Sequence, residues 1–248
     1  MKPRFGTALL RLFAVQGSWN YERMIGLGAG VAEEPLLRGL LSEGNGTAYR
    51  DAVARGAHFF NAHPYLVGLA VGAAARAEVE HAPPQQIERL RAALTGPLGS
   101  LGDRLVWAGW LPLTIGLALV AVGLGAGLRA VAAFLVVYNV GHVALRWWAL
   151  RAGWKHGVNV VTALRSPFLQ RGVALTSVGM ALAMGLALPV AAEYVAGAFP
   201  GWARIVLGAA GATGFALLYW RVGRGTLTGL RYGLALVALA LIVGTVWR

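Results

Sequence analysis

The residue types able to do chemistry gather in three short clusters within the first 103 positions. The first, Gln16-Gly17-Ser18-Trp19-Asn20-Tyr21-Glu22-Arg23-Met24, sets two aromatic rings among amides and an acid–base pair. Amides and carboxylates bond hydroxyl groups and rings cover the apolar side of a pyranose, so the mixture suits a sugar site. An interfacial aromatic belt with Glu22 paired to Arg23 is the bland alternative. The second cluster is His58-Phe59-Phe60-Asn61-Ala62-His63-Pro64-Tyr65-Leu66. A residue before proline avoids the α region, so Pro64 breaks the helix just after Asn61 and His63 and presents an amide and an imidazole. Broken helices offer polar groups in this way in transporters; a His63 that only caps a turn is the alternative. His58 and His63, five apart, fall on different helix faces, which argues against a metal site. The third cluster, Thr95-Gly96-Pro97-Leu98-Gly99-Ser100-Leu101-Gly102-Asp103, lacks the Lys-Ser/Thr ending of a phosphate loop. Its Asp103, at the start of an apolar run, can cap a helix or line a polar path. No catalytic triad, paired carboxylates or metal-ligand set emerges, and there is no cysteine, so no catalytic residue, metal or cofactor is expected.

The elements that must hold these clusters are set by composition. Of 248 residues, 57% are hydrophobic and 13% charged, against about 25% charged in a soluble domain. That deficit points to a membrane protein. The net charge of +12 is unevenly spread. Residues 1–103 hold 10 basic and 9 acidic side chains, whereas residues 104–248 hold 12 basic ones and a single acid, Glu193. Charge placed between apolar runs anchors loops at anionic lipid, so nucleic acid is not an expected partner.

The chain divides at about residue 104 into an amino-terminal core region, 1–103, and a transmembrane helical region, 104–248. Apolar runs at Leu105–Gly125, Leu128–Leu150, Gly172–Phe199, Ile205–Tyr219 and Leu230–Trp247 give about five spans, with Pro189 a candidate kink. Arg146, Arg151, Lys155, Arg165 and Arg171 crowd one connection, and Arg221, Arg224 and Arg231 another. The positive-inside bias places both, and the amino terminus, on the cytoplasmic side. Ahead of the spans, Phe5, Leu9, Leu12 and Phe13 share one side of an interfacial helix. Short helices are expected at Ala48–Ala57, Val67–His81 and Gln85–Leu94, with Pro83-Pro84 as a stop. The Ala/Gly/Val-rich Val67–Ala77 stretch permits close helix approach and suggests a re-entrant hairpin. Asn139 and His142, at i and i+3, suit interhelical hydrogen bonding. The expected fold class is thus an all-α integral membrane protein.

In this order the three clusters resemble the IID component of mannose/fructose/sorbose-family phosphotransferase systems. The family block Gly-Ser-Trp-Asn-Tyr/Phe-Glu-Arg-Met is matched throughout by Gly17–Met24. The block Phe-Phe-Asn-Thr-His/Gln-Pro-Tyr/Phe is matched by Phe59–Tyr65, with Ala62 in place of Thr. The block Gly-Pro-Leu-Ala-Gly-Ile/Val-Gly-Asp is resembled by Gly96–Asp103 and, after it, Trp107. Weaker likeness follows at Lys155–Gly157 and Leu169–Arg171, so the resemblance covers about residues 10–185.

The resemblance implies an inner-membrane subunit that pairs with a IIC subunit in a heterodimer that trimerises, and that works with cytoplasmic IIA and IIB phosphocarriers. It implies a hexose of mannose type as substrate and a chain that is not itself phosphorylated. It makes Asn61, His63 and Asp103 the sugar contacts, and Trp19, Asn20, Glu22, Arg23, Phe60 and Pro64 builders of the core or of the subunit contact. The sequence departs from the pattern at Arg104 (usually Pro), Leu111 (usually Arg), Val79 (usually Glu) and in Gly172–Thr176, which lacks the usual acid. Such departures imply a re-paired network, an altered substrate, or a docking or regulatory subunit that no longer transports.

Overall fold

The computed structural model describes residues 3–197 and residue 235. The fourth and fifth expected spans, and the basic connection between them, lie outside the described residues. Within the described residues the regular structure is helical: α1 (Phe5–Phe13), α2 (Gly26–Ser42), α3 (Gly46–Gly56), α4 (Val67–Val79), α5 (Pro84–Gly102), a π-helical stretch (Asp103–Trp110), α6 (Leu111–Gly123), α7 (Leu128–His156), the short α8 (Val161–Leu164) and α9 (Pro167–Gly197). Among the described residues three helical runs are long and apolar enough to cross a membrane: Pro84–Gly123, Leu128–Asn159 and Val161–Tyr194. The chain is an all-α integral membrane protein.

Local signals account for several boundaries. Asn45 caps α3, its side chain accepting from the Ala48 N–H at 3.1 Å. Pro84 occupies the first position of α5, where a missing N–H costs nothing. The expected helices at 48–57 and 67–81 form with ends shifted by about two residues, as fraying allows.

Two features differ from expectation. The helix expected over Gln85–Leu94 does not stop there: α5 runs through Pro97 and the third cluster, and helix continues from Pro84 to Gly123. The ladder widens to π geometry over Asp103–Trp110, just ahead of Pro112, which has no N–H to offer the preceding turn. Such π segments commonly sit at functional positions. The second difference is α2, which a segment containing Gly26, Gly28, Gly30 and Pro35 does not advertise. Its glycines are used for contact: a methyl group on Gly26 would strike the His58 carbonyl, and one on Gly28 the Val15 carbonyl. One on Gly30 would sit 2.8 Å from the Ala57 nitrogen. Tertiary packing overrides propensity here.

The chain forms two compact units, one built from Met1–Arg104 with Val140–Arg171, the other from Leu105–Asn139 and the described residues from 172 onward. In the first unit α2 packs on α1, α3 and α4, and α4 also meets α5. Leu36, Leu37, Leu40, Leu66, Leu69, Leu94 and Leu98 fill the interior. α4 is buried along nearly its whole length. Its Gly68 backs onto the Leu150 nitrogen and its Gly72 onto the Trp154 nitrogen, where a Cβ would stand 2.9 and 2.6 Å away. Gly153 of α7 returns the contact against Leu69. Small residues let two backbones approach and gain dispersion that bulky side chains would prevent. In the second unit Gly116 packs on Ala183 and Gly123 on Val190, the same device joining α6 to α9.

Candidate functional site

All three polar clusters belong to the first unit, and backbone contacts join the first to the second. Asn20 and Met24 form an isolated antiparallel bridge, and Met24 bridges to Phe60 in parallel. The Phe60 N–H donates to the Arg23 carbonyl at 3.3 Å, and the Ile25 N–H donates to the Phe60 carbonyl at 3.0 Å. The first cluster is thereby stitched to the second. Asn20 makes this possible: its side-chain oxygen accepts from the Glu22 and Arg23 N–H groups at 3.1 and 2.9 Å. That turn is followed by Met24 in the left-handed region, at φ 51°. Trp19 and Tyr21 meet edge-on at 4.8 Å and are both exposed, as are Glu22 and Arg23.

The second cluster then divides by environment. Phe60 is fully buried beneath the Arg91 guanidinium, 5.1 Å above its ring. Asn61 is exposed and its amide makes no hydrogen bond among the described residues. His63 is 2% exposed. Its Nδ1 accepts the Tyr65 N–H at 3.2 Å, which leaves Nε2 to carry the proton of the neutral ring. Burial, with the Arg146 charge second, pushes the His63 imidazole down to about 4. A neutral donor is thus held at physiological pH.

Two elements close on this break. His63 packs against Gly102, so that any side chain there would collide with it; this brings the third cluster to the second, with Asp103 the next residue and exposed. From α7, Arg146 donates through Nη1 to the Pro64 carbonyl at 2.9 Å and to the Leu12 carbonyl. Its guanidinium lies 4.6 Å from the Tyr65 ring centroid and 5.2 Å from that of Phe13. His142 stacks on Tyr65 at 4.9 Å and tilts against Phe13 at 5.5 Å. Its expected companion Asn139 bonds its own helix instead, donating to the Leu135 carbonyl at 2.6 Å.

The arrangement is a rigid polar break, with one neutral imidazole at its base and one unengaged amide on its surface. It offers hydrogen-bonding groups to a polar ligand. Gly102→Ala is expected to lower stability by about 1–3 kcal/mol, although alanine is the better helix former by about 1 kcal/mol. Thermal unfolding in micelles checks this, and an unchanged or raised midpoint would mean that the His63–Gly102 contact is loose.

Residues that reasoning from sequence missed lie beside this break. Arg146 reads in sequence as a loop anchor yet is 5% exposed and engaged with backbone carbonyls. Arg91 and Glu33, 58 positions apart, form a buried pair at 3.1 Å, and Arg91 also donates to the Gly56 carbonyl at 2.8 Å. Glu78 is held by Arg55 through two 2.8 Å hydrogen bonds, so the acid that Val79 replaces in the family pattern is not needed for this pairing. No local signal marks these long-range partners; a buried cation near the end of an apolar run is indistinguishable in sequence from an interfacial one.

The sequence pattern of the PTS system mannose/fructose/sorbose family IID component matches residues 2–196. The chain belongs to this family. It is 29% identical over 167 residues to the mannose-specific EIID component of Escherichia coli strain K12, covering 65% of this chain and 58% of that protein. It is 32% identical over 168 residues to the sorbose-specific EIID component of Klebsiella pneumoniae, covering 65% and 60%. The chain thus matches less than two thirds of the length of these relatives. Among solved structures, the complex of the mannose transporter ManYZ with microcin E492 contains a chain of similar fold, with a TM-score of 0.54 and 21% identity over 97% of this chain and 95% of that one. A second solved membrane protein aligns with a TM-score of 0.63 and 22% identity over 97% and 96%. At these identities the structural likeness is one of fold.

Proposed function

We propose that this IID component binds a mannose-type hexose and carries it across the cell's inner membrane together with a IIC subunit, in a heterodimer that trimerises. Cytoplasmic IIA and IIB carriers bring phosphate from phosphoenolpyruvate to the arriving sugar, which traps it inside; this chain orients the sugar and changes its access. The amino terminus is cytoplasmic. The region 1–103 supplies the polar site and 104–248 the membrane-spanning frame.

The observation that carries the proposal is the convergence of the three clusters on one break, through the Arg23–Phe60–Ile25 backbone ladder and the seating of His63 on Gly102. A chain that had kept only a membrane anchor would have no need of that assembly. Asn61, His63 and Asp103 are the proposed sugar contacts. The Asn61 amide can donate and accept to a pair of hydroxyls, and the neutral His63 ring can donate or accept singly. Trp19, Asn20, Glu22, Arg23, Phe60 and Pro64 shape the site or meet the IIC subunit.

Sugar binding to the subunit copurified with its IIC partner tests this. Asn61→Ala is expected to weaken hexose binding roughly tenfold to a hundredfold, the worth of one polar contact that the bound sugar desolvates, about 1–3 kcal/mol. No saturable binding by a folded, correctly paired wild-type complex would overturn the transport reading for the sugars tried.

A further inference from the structure

The last turns of α7 build a feature that the proposed sugar site does not use. A cavity of about 530 Å³ opens there, lined among others by Phe5, Trp148, Arg151, Trp154, Lys155 and Ser166. The Arg151 guanidinium lies 4.7 Å from the Phe5 ring and 5.6 Å from the Trp147 ring, and Phe5 meets Trp154 edge-on at 5.5 Å. Ring faces hold the cation in place without neutralising it. The Glu80 carboxylate at this helix end is already engaged by Arg76, whose Nε donates to it at 2.6 Å. Among the described residues no carboxylate pairs with Arg151 or with Lys155, one turn further on. Two cations therefore face a roomy cavity with aromatic walls and no counter-charge.

We propose that this cavity binds the phosphate headgroup of an anionic glycerophospholipid. Arg151 and Lys155 take the phosphate, and Trp148, Trp154 and Phe5 cover the glycerol and the first acyl carbons. Position supports a lipid over a soluble anion. The cavity sits at the end of the run Leu128–Asn159, which is long and apolar enough to cross a membrane; at the ends of such runs tryptophan is favoured and basic pockets between helices take lipid phosphates. α1, which contributes Phe5, is amphipathic and leaves Leu10 72% exposed, as a helix lying in the interface does. The inference is independent of the transport reading.

Native mass spectrometry of the full chain in detergent tests it, with phosphatidylglycerol and phosphatidylcholine of identical acyl chains offered in turn. The wild type is expected to retain one phosphatidylglycerol about tenfold more tightly than phosphatidylcholine. R151Q/K155Q is expected to lose that preference, and R129Q, at the opposite end of α7, to keep it. Both lining cations are exposed, and K155Q alone, should the double variant unfold, gives a smaller loss of the same sign. Equal retention of the two lipids, or an unaltered preference in the variants, would overturn the proposal. So would displacement by millimolar inorganic phosphate, which would assign the cavity to a soluble anion.

Discussion

Arg146→Leu is expected to lower the unfolding free energy by about 3 kcal/mol and to depress the melting midpoint by roughly 10 °C in micelles. From α7, one guanidinium reaches two other parts of the first unit: the end of α1 through the Leu12 carbonyl and the Phe13 ring, and the break in the second cluster through the Pro64 carbonyl and the Tyr65 ring. A hydrogen bond to a charged donor contributes about 1.5–3 kcal/mol and a desolvated cation–π contact about 2 kcal/mol. Removing a buried charge returns part of its desolvation cost, which holds the net loss below the sum. Arg146→Lys keeps the charge but loses the planar fork, so it should recover less than half of the loss. A leucine variant that melts within 2 °C of wild type (well inside the roughly 10 °C expected) would show that the break holds itself. The functional consequence is separable: sugar affinity measured below the variant's melting midpoint should still fall, because the Pro64 carbonyl is no longer positioned.

The second large effect is expected at the buried pair. Arg91→Met leaves the Glu33 carboxylate, 1% exposed, without its partner. Breaking a buried pair on one side costs about 3–5 kcal/mol, whereas replacing both members with apolar groups is often neutral. Above pH 7, where the Glu33 carboxyl is ionised, Arg91→Met should therefore be severely destabilised, and Glu33→Met/Arg91→Met should regain most of the loss. A double variant as unstable as the single one would locate the role of Arg91 in its contacts to the Gly56 carbonyl and the Phe60 ring instead.

Acidity gives an independent check on the same pair. Burial pushes the Glu33 carboxyl up to about 7, against the attraction of Arg91. The unfolded chain releases this proton near 4.5 while the folded chain keeps it to about 7, so the stability owed to Glu33 falls as pH rises through that window. The difference in unfolding free energy between wild type and E33Q should decline from pH 4.5 to 7; His63 contributes equally to both proteins and cancels. The neighbouring carboxylate behaves oppositely. Burial raises the Glu34 carboxyl, but hydrogen bonds from Arg38, Tyr49 and Arg11 outweigh it and hold it at about 2. Its contribution is present above 4.5 and lost as pH falls toward 2. Adjacent residues on one helix thus differ because one faces the interior and the other a ring of donors.

Much of the fold is legible without coordinates. A charge deficit and runs of about 20 apolar residues are sufficient for a membrane class, because lipid tolerates so little else. Pro83-Pro84 marks a helix end through its own backbone chemistry, and the amphipathic spacing of Phe5, Leu9 and Leu12 marks α1. The three polar clusters are contiguous in sequence, and so could be singled out as a site without knowing what they touch.

What sequence could not supply are the terms that depend on partners far away in the chain. α2 forms although Gly26, Gly28, Gly30 and Pro35 disfavour it, because those positions abut the Val15, Ala57 and His58 backbones. Helix persists through Pro97 and the glycines of the third cluster, and then widens to π geometry ahead of Pro112, although those residue types by themselves disfavour helix. Arg146 and Arg91 carry the same letter as the exposed arginines around them, and their burial is decided by carbonyls and a carboxylate up to 134 positions away. Local chemistry, acting over a few residues, determined the class, the helix ends and the polar clusters. Only the tertiary structure decided which of those polar groups are buried, and against what, because desolvation and pairing are properties of the packed surroundings.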